Sequence, residues 1–447
     1  MAFQTYEEAV KWITDRMAFG IRPGLKRMEY MMKKLDHPER RLRVIHVAGT
    51  NGKGSVCAML TRMLIASGYD VGTFTSPYIE SFTNRIQFNG EDIPREEVLR
   101  LANEIKPLAD ELENSELGAP TMFEVTTVLA ILYFAKVTFP YYVVWEAGLG
   151  GRLDSTNIVH PTVTVITNIG HDHMDVLGDT LIDVAREKAG IIKAGVPLVS
   201  AATQPEVIEL LEQTAKEKKA KLYLNGRDFG TRPSPSKEGN VFDFYSPFRT
   251  LKGIELSLVG DHQRENAAVA LMVIDLLRQY NALVAEEEDF IPALKEVKWP
   301  GRLERISDMP PLLLDGAHNP EGAQALVKAI RDYFPHRKLH FMIGMLANKN
   351  HFEYLEHILP VADTIIVTEP DFRKKTPASD LAGLVSDLKE KTGSQCETVV
   401  EPDWKKALGL LKQRTANDDL AVVTGSLYLV SDVRSMLLDG TDSEKGW

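Results

Sequence analysis

Apolar positions along this chain gather into short, nearly continuous runs separated by stretches with helical spacing. In the first half the runs fall at 44–47, 71–75, 141–145, 163–169 and 198–201, and helix-like segments occupy 56–67 and 123–135. Strands that are apolar on both faces need cover on both faces, so the pattern predicts a large, mostly parallel sheet flanked by helices. Residues 226–255 break the rhythm: Gly, Pro, Ser and Lys are followed by alternating Phe242, Phe244 and Tyr245. That predicts a loop and then antiparallel structure extending the first sheet. An apolar helix is expected over 263–279. Trp299-Pro300-Gly301-Arg302 then interrupts regular structure, and a second alternating series follows at 312–314, 339–343, 364–368, 397–400 and 420–423. The expected architecture is therefore α/β throughout, with a P-loop-type N-terminal domain at 1–296 and a smaller Rossmann-like domain at 297–447.

Composition narrows the class. Apolar content of 44% and charged content of 26% are those of a globular protein. Cys57 and Cys396 are far apart, Cys57 within an apolar helical pattern, so a disulfide framework is not expected and a reducing cytoplasm fits. The N-terminus lacks a basic region followed by an apolar core, and no apolar stretch approaches the ~18 residues of a membrane span. A net charge of −11 argues against general nucleic-acid binding but not against anionic small molecules.

Residues 48–55 read Ala-Gly-Thr-Asn-Gly-Lys-Gly-Ser, between an apolar run and a helix-like stretch. Backbone N–H groups on a turn that opens a helix point at an anion, and a lysine there reaches terminal phosphates. The spacing departs from the common G-x-x-x-x-G-K-[ST], since Val47 and Gly54 stand where glycine and a hydroxyl belong and Ser55 comes one residue late. Four other segments carry chemistry. Glu146 ends an apolar strand and is followed by glycines, at the sheet end where ligands collect in parallel sheets. His171-Asp172-His173 follows another strand; magnesium on nucleotide phosphates takes one or two protein ligands, so Glu146 and a single histidine suffice and the remaining side chains are left to hold loops. Arg186-Glu187-Lys188 reads either as a solvated helix face or as a lysine tuned by burial, and sequence alone leaves both standing. Asp315 ends a strand, His318 follows, and Asn319-Pro320 opens a helix.

Together and in this order, Gly49 to Ser55, Thr75-Ser76-Pro77, Phe123-Glu124, Glu146 to Asp154, Asp172-His173, Arg186 to Gly190, His262-Gln263 with Asn266, Pro300-Gly301-Arg302 and Asp315 to Pro320 resemble the folylpolyglutamate synthase and dihydrofolate synthase family, a branch of the Mur ligases. The resemblance runs from about residue 20 to about residue 430. It implies an ATP-dependent ligase that adds L-glutamate to a folate or dihydropteroate carboxylate through an acyl phosphate. On that resemblance Asn51, Gly52, Lys53, Gly54 and Ser55 hold the ATP phosphates, and Asn266, Arg302 and Asp315 contact ATP. Ser55, Ser76, Glu146, His173 and Lys188 are metal-associated, Lys188 as a carbamate supporting a second Mg2+, with a monovalent cation as a further candidate. Lys53, Lys188, His173 and His318 are the catalytic candidates. Leu25, Lys26, Arg27, Thr121, Phe123, Glu124, Leu153, Asp154 and Ser155 align with segments contacting the pterin-bearing substrate. A cytoplasmic monomer without nucleic-acid or membrane partners is expected.

One departure stands out. Relatives usually have Asp-Lys-Asp where this chain has Asn348-Lys349-Asn350, removing two negative charges. Asn348-Lys349 also resembles part of the guanine-reading N-K-x-D of GTPases, but His351 occupies the fourth position and leaves guanine without a reader. Beside that GTPase reading, the competing readings are another Mur-type ligase acting on a cell-wall nucleotide precursor and a non-catalytic nucleotide-binding scaffold.

Overall fold

The computed structural model describes residues 2–233, 240–441 and 443–444. The eight strands of the large sheet are β1 (Val44–Ala48), β2 (Val71–Phe74), β3 (Ile86–Phe88), β4 (Glu91–Asp92), β5 (Tyr142–Glu146), β6 (Pro161–Ile166), β7 (Leu198–Ser200) and β8 (Leu222–Leu224). Their spatial order is β4-β3-β2-β5-β1-β6-β7-β8, parallel except where β3 and β4 turn back at one edge. β1 and β5 are buried at every position, as their unbroken apolar runs require. The helices Lys53–Ala66 and Asp261–Asn281 share one core on the first face. Helices Arg95–Glu113 and Met122–Tyr133 cover the other.

The antiparallel strands β9 (Gly230–Pro233), β10 (Val241–Tyr245) and β11 (Thr250–Glu255) do not extend this sheet as the sequence pattern suggested. They form their own three-stranded sheet, because period-two alternation gives a single apolar face. Phe242, Phe244, Leu251 and Ile254 bury that face in the core of the helix Asp261–Asn281. Residues 234–239, part of the expected loop, lie outside the described residues.

A second sheet contains β12 (Glu304–Asp308), β13 (Pro311–Leu314), β14 (Leu339–Ile343), β15 (Thr364–Glu369), β16 (Glu397–Asp403) and β17 (Leu420–Thr424), in the order β12-β13-β17-β14-β15-β16. All pairs are parallel except that of β12 with β13. Helices Pro320–Tyr333, His351–Ile358 and Ala378–Thr392 line one face, and Trp404–Arg414 with Leu427–Leu438 the other.

β1 lies parallel between β5 and β6, with Val47 beside Glu146 and Ala48 beside Ile166. The carboxyl ends of these three strands therefore deliver residues 49–55, Glu146 and residues 167–173 to one crevice, the place where open α/β sheets bind ligands.

Candidate active site

The turn at 49–54 is fitted so closely that side chains are excluded. Gly49 has φ of 150° and a Cβ there would lie 1.8 Å from Thr167 Oγ1; Gly52, at φ 82°, would strike Asn266 Oδ1 at 2.3 Å. A Cβ on Gly54 would come within 2.5 Å of the Trp299 ring. Neighbouring loops hold the turn in place. Thr167 Oγ1 donates to Asn51 O at 2.6 Å, Asn51 N donates to Asn168 Oδ1 at 2.8 Å, and Thr50 Oγ1 exchanges hydrogen bonds with Gly170.

Two lysines meet on this turn. Lys53 Nζ donates to Gly49 O at 3.1 Å and Thr50 O at 3.2 Å, while Lys188 Nζ donates to the same Gly49 O at 2.8 Å. The sequence left Lys188 open between a solvated face and a buried group; it is 5% exposed. Burial, then the charge of Lys53, pull its pKa down to about 7. Arg186, on the same helix, is the solvated one. Glu146 is buried and accepts Ser76 N–H at Oε2, 3.0 Å. Burial pushes its pKa up, while Lys53, Arg302 and Arg85 pull it down. Its Oε1 has no hydrogen bond among the described residues. Ser55 is buried in the first turn of the helix Lys53–Ala66.

The second domain reaches this crevice along the start of the helix Pro320–Tyr333. Asn319 caps the helix by accepting Gly322 N–H at 2.8 Å, and its amide pairs reciprocally with Asn51 at 3.3 and 3.1 Å. Glu321 Oε1 accepts both His171 N–H, at 3.0 Å, and His171 Nδ1–H, at 2.9 Å. Asp172 is held by Lys349 Nζ at 2.6 Å and by His318 Nε2 at 3.3 Å. Although burial pushes its carboxyl up, the His318 bond and the charges of His318 and Lys349 hold it well below the usual range. His173 is pushed down to about 3, first by burial and then by Lys349, so its ring is neutral and keeps a lone pair. His318 Nδ1 donates to Gly316 O at 2.8 Å. Asp315 is spent on the backbone, accepting Leu303 N–H and Ala317 N–H, each at 2.9 Å. Arg302 has no hydrogen-bonded partner among the described residues, but its charge acts on Glu146, Asp315 and His262. Asn266 Nδ2 donates to Gln263 Oε1 at 3.1 Å.

The segments predicted for the larger substrate also converge. Gly24, next to Leu25, donates its N–H to Leu153 O at 3.2 Å, and Arg27 Nε donates to both oxygens of Glu124 at 2.9 and 3.0 Å. Glu124 simultaneously closes a capping box with Thr121 on the helix Met122–Tyr133. The Phe123 ring leaves room for only a glycine at 148. Asp154 Oδ2 accepts Leu149 N–H at 2.7 Å, and Ser155 is buried beside it. Lys26 is exposed and contributes no described contact to this cluster.

Sequence reasoning assigned no role to Glu321, Trp299 or Thr167. Glu321 sits beside the Asn319-Pro320 signal, and Trp299 beside the Pro-Gly break; neither residue type announces a contact with another domain. No group of three or more His, Cys, Asp and Glu side chains able to hold a metal occurs among the described residues.

Residues 47–274 match the Mur ligase middle domain family, and residues 301–427 match the Mur ligase glutamate ligase domain family. The chain is similar to a dihydrofolate synthase/folylpolyglutamate synthase of Bacillus subtilis, 40% identical over 97% of this chain and 100% of the relative. It also resembles the Mycobacterium tuberculosis folylpolyglutamate synthase solved with ADP and AMPPCP, with a TM-score of 0.89 and 28% identity across 98% of this chain and 100% of that one. An Escherichia coli protein solved in complex with DHPP and ADP superposes with a TM-score of 0.86 and 26% identity, covering 97% of this chain and 98% of that one.

Proposed function

The chain belongs to the folylpolyglutamate synthase and dihydrofolate synthase family of Mur ligases, and from that premise we propose that it joins L-glutamate to the carboxylate of a folate or dihydropteroate at the expense of ATP. It is an ATP-dependent ligase of that family. The observation that carries the reading is the meeting of Lys53 and Lys188 on the Gly49 carbonyl. Two amines at one phosphate-binding turn serve a reaction in which negative charge is passed between oxyanions.

In the first half-reaction a carboxylate oxygen of the acceptor attacks the γ-phosphorus and the bond to the bridging oxygen breaks, giving an acyl phosphate and ADP. In the second the glutamate amine attacks the acyl carbon, loses a proton and expels phosphate. Lys53, bonded only to carbonyls of its own loop, is placed to take the oxygens of the phosphoryl group in flight. Backbone N–H groups at the start of the helix Lys53–Ala66 bind the remaining phosphates. Asn266, Arg302 and Asp315 complete the nucleotide site on this reading. Asn51 and Asn319 join the domains over the turn, and closure there keeps water from the acyl phosphate.

The donor set fits magnesium, which prefers hard oxygen ligands and keeps several waters. Glu146 offers a buried carboxylate with Oε1 uncommitted, and the neutral His173 offers a ring nitrogen. Ser55, Ser76 and a carbamylated Lys188 would supply the other positions. Bound magnesium neutralises phosphate charge. Lys188 is disposed to carbamylation, since the neutral amine is the form that adds carbon dioxide and its pKa lies near 7. We place the hinge between the domains near residue 297, and we infer a cytoplasmic enzyme acting as a monomer.

Purified protein supplied with ATP, magnesium and labelled glutamate is expected to incorporate label when dihydropteroate and tetrahydrofolate are offered separately, with one or both accepted. Failure with both overturns the reading.

A further inference from the structure

Beneath the loop that carries Asp154 lies a buried chain of polar groups, of which His46 and Thr156 have no part in the chemistry above. His46 is fully buried in β1, three residues before Gly49, and its Nε2 lies 3.1 Å from Thr156 Oγ1. Thr156, also fully buried, donates its hydroxyl to Asp154 Oδ1 in a short hydrogen bond and its N–H to the same oxygen at 2.9 Å. Leu149 N–H fills Oδ2 at 2.7 Å. Trp145 Nε1–H anchors the other end of Thr156 through its carbonyl at 3.1 Å.

The donors fix the protons. Burial pushes the Asp154 carboxyl up, and the opposing pull comes from the Thr156 hydroxyl and from backbone N–H groups on both oxygens, which favour the carboxylate over the acid. Thr156 must then point its hydroxyl hydrogen at Asp154, so its oxygen can only accept from the other side. His46 is therefore the Nε2–H tautomer, with Nδ1 bare. That nitrogen is buried and has no hydrogen-bond partner among the described residues, an arrangement that a ring carrying a proton there would make costlier.

We propose that His46 is a positioning residue for the acceptor: by orienting the Thr156 hydroxyl it holds Asp154 ionised and aimed, and it ties the strand that carries the phosphate turn to the loop that receives the pterin. This rests on the proposed ligase activity and on Asp154 contacting its pterin-bearing acceptor, as the family resemblance implies. The link is directional, from β1 through one hydroxyl to one carboxylate.

The test compares steady-state kinetics of Thr156→Val, Thr156→Ser, His46→Leu and His46→Gln with the wild type, varying the pteroate acceptor and ATP in turn. Thr156→Val is isosteric and keeps the fold testable if His46→Leu does not fold. Loss of a hydrogen bond to a charged group predicts an acceptor KM about tenfold higher in Thr156→Val. The ATP KM should stay within about twofold, since no ATP contact is altered. Thr156→Ser restores the hydroxyl and the acceptor KM, and His46→Gln, whose amide N–H can replace Nε2–H, restores it in part. An unchanged acceptor KM in Thr156→Val, or equal rises for ATP and acceptor, overturns the proposal while leaving the ligase reading intact. Wild-type protein that accepts neither dihydropteroate nor tetrahydrofolate overturns both.

Discussion

Lys53 and Lys188 divide the work of one carbonyl, and their different burial gives them different chemistry. Lys53→Ala should abolish glutamate incorporation while leaving the thermal unfolding curve and circular dichroism in place, because its Nζ touches only its own loop. Lys188 has a second consequence. Its folded pKa, about 7, lies below the ordinary 10.5, so the unfolded chain binds more protons between those values and stability rises with pH across that window. With carbon dioxide and bicarbonate excluded, so that the amine is free, Lys188→Met should therefore be inactive yet more stable than wild type at pH 7, by up to about 4 kcal/mol. That advantage should shrink as denaturation is repeated toward pH 10; a constant gap would mean the lysine is charged in the folded protein. Lys188 also shows where sequence stops: a charged Arg-Glu-Lys run gives no sign of which member turns inward, because that depends on helix phase against a neighbouring loop.

At the scale of elements, the parallel strands were legible because each is apolar on both faces, and the motifs at their carboxyl ends were legible as chemistry. β12 was not, since Glu304, Arg305, Ser307 and Asp308 give an edge strand little apolar signal. The independence of the three-stranded sheet was hidden for a related reason: alternation reveals a half-buried strand but not which element buries it. Asn350 caps the helix His351–Ile358 by accepting Glu353 N–H at 3.3 Å, a task that aspartate performs equally well. Asn350→Asp should leave stability unchanged or slightly raised, and Asn350→Ala should cost about 1 kcal/mol in chemical denaturation. Lys349, between the two asparagines, keeps its carboxylate partner in Asp172 of the other domain.

In the whole molecule, one ion pair that joins the two domains is shielded from solvent: the Lys349 and Asp172 side chains are 8% and 12% exposed. Removing one partner of such a pair leaves the other charge uncompensated. Because this pair joins domains instead of stabilising either one, Lys349→Ala should open the molecule more than unfold it. We expect a larger radius of gyration in small-angle scattering and a turnover about tenfold lower, with little change in the unfolding midpoint. A second measurement of the same motion needs no added label. Trp299 stands where the chain passes between domains, and its indole lies against Gly54, the residue after Lys53. Trp145 and Trp404, by contrast, are buried within single domains. The emission of Trp299 is thus an optical gauge wired to the nucleotide turn: titration with ADP should shift the protein's intrinsic fluorescence, Trp299→Phe should silence the shift, and the time course should report how fast the enzyme shuts.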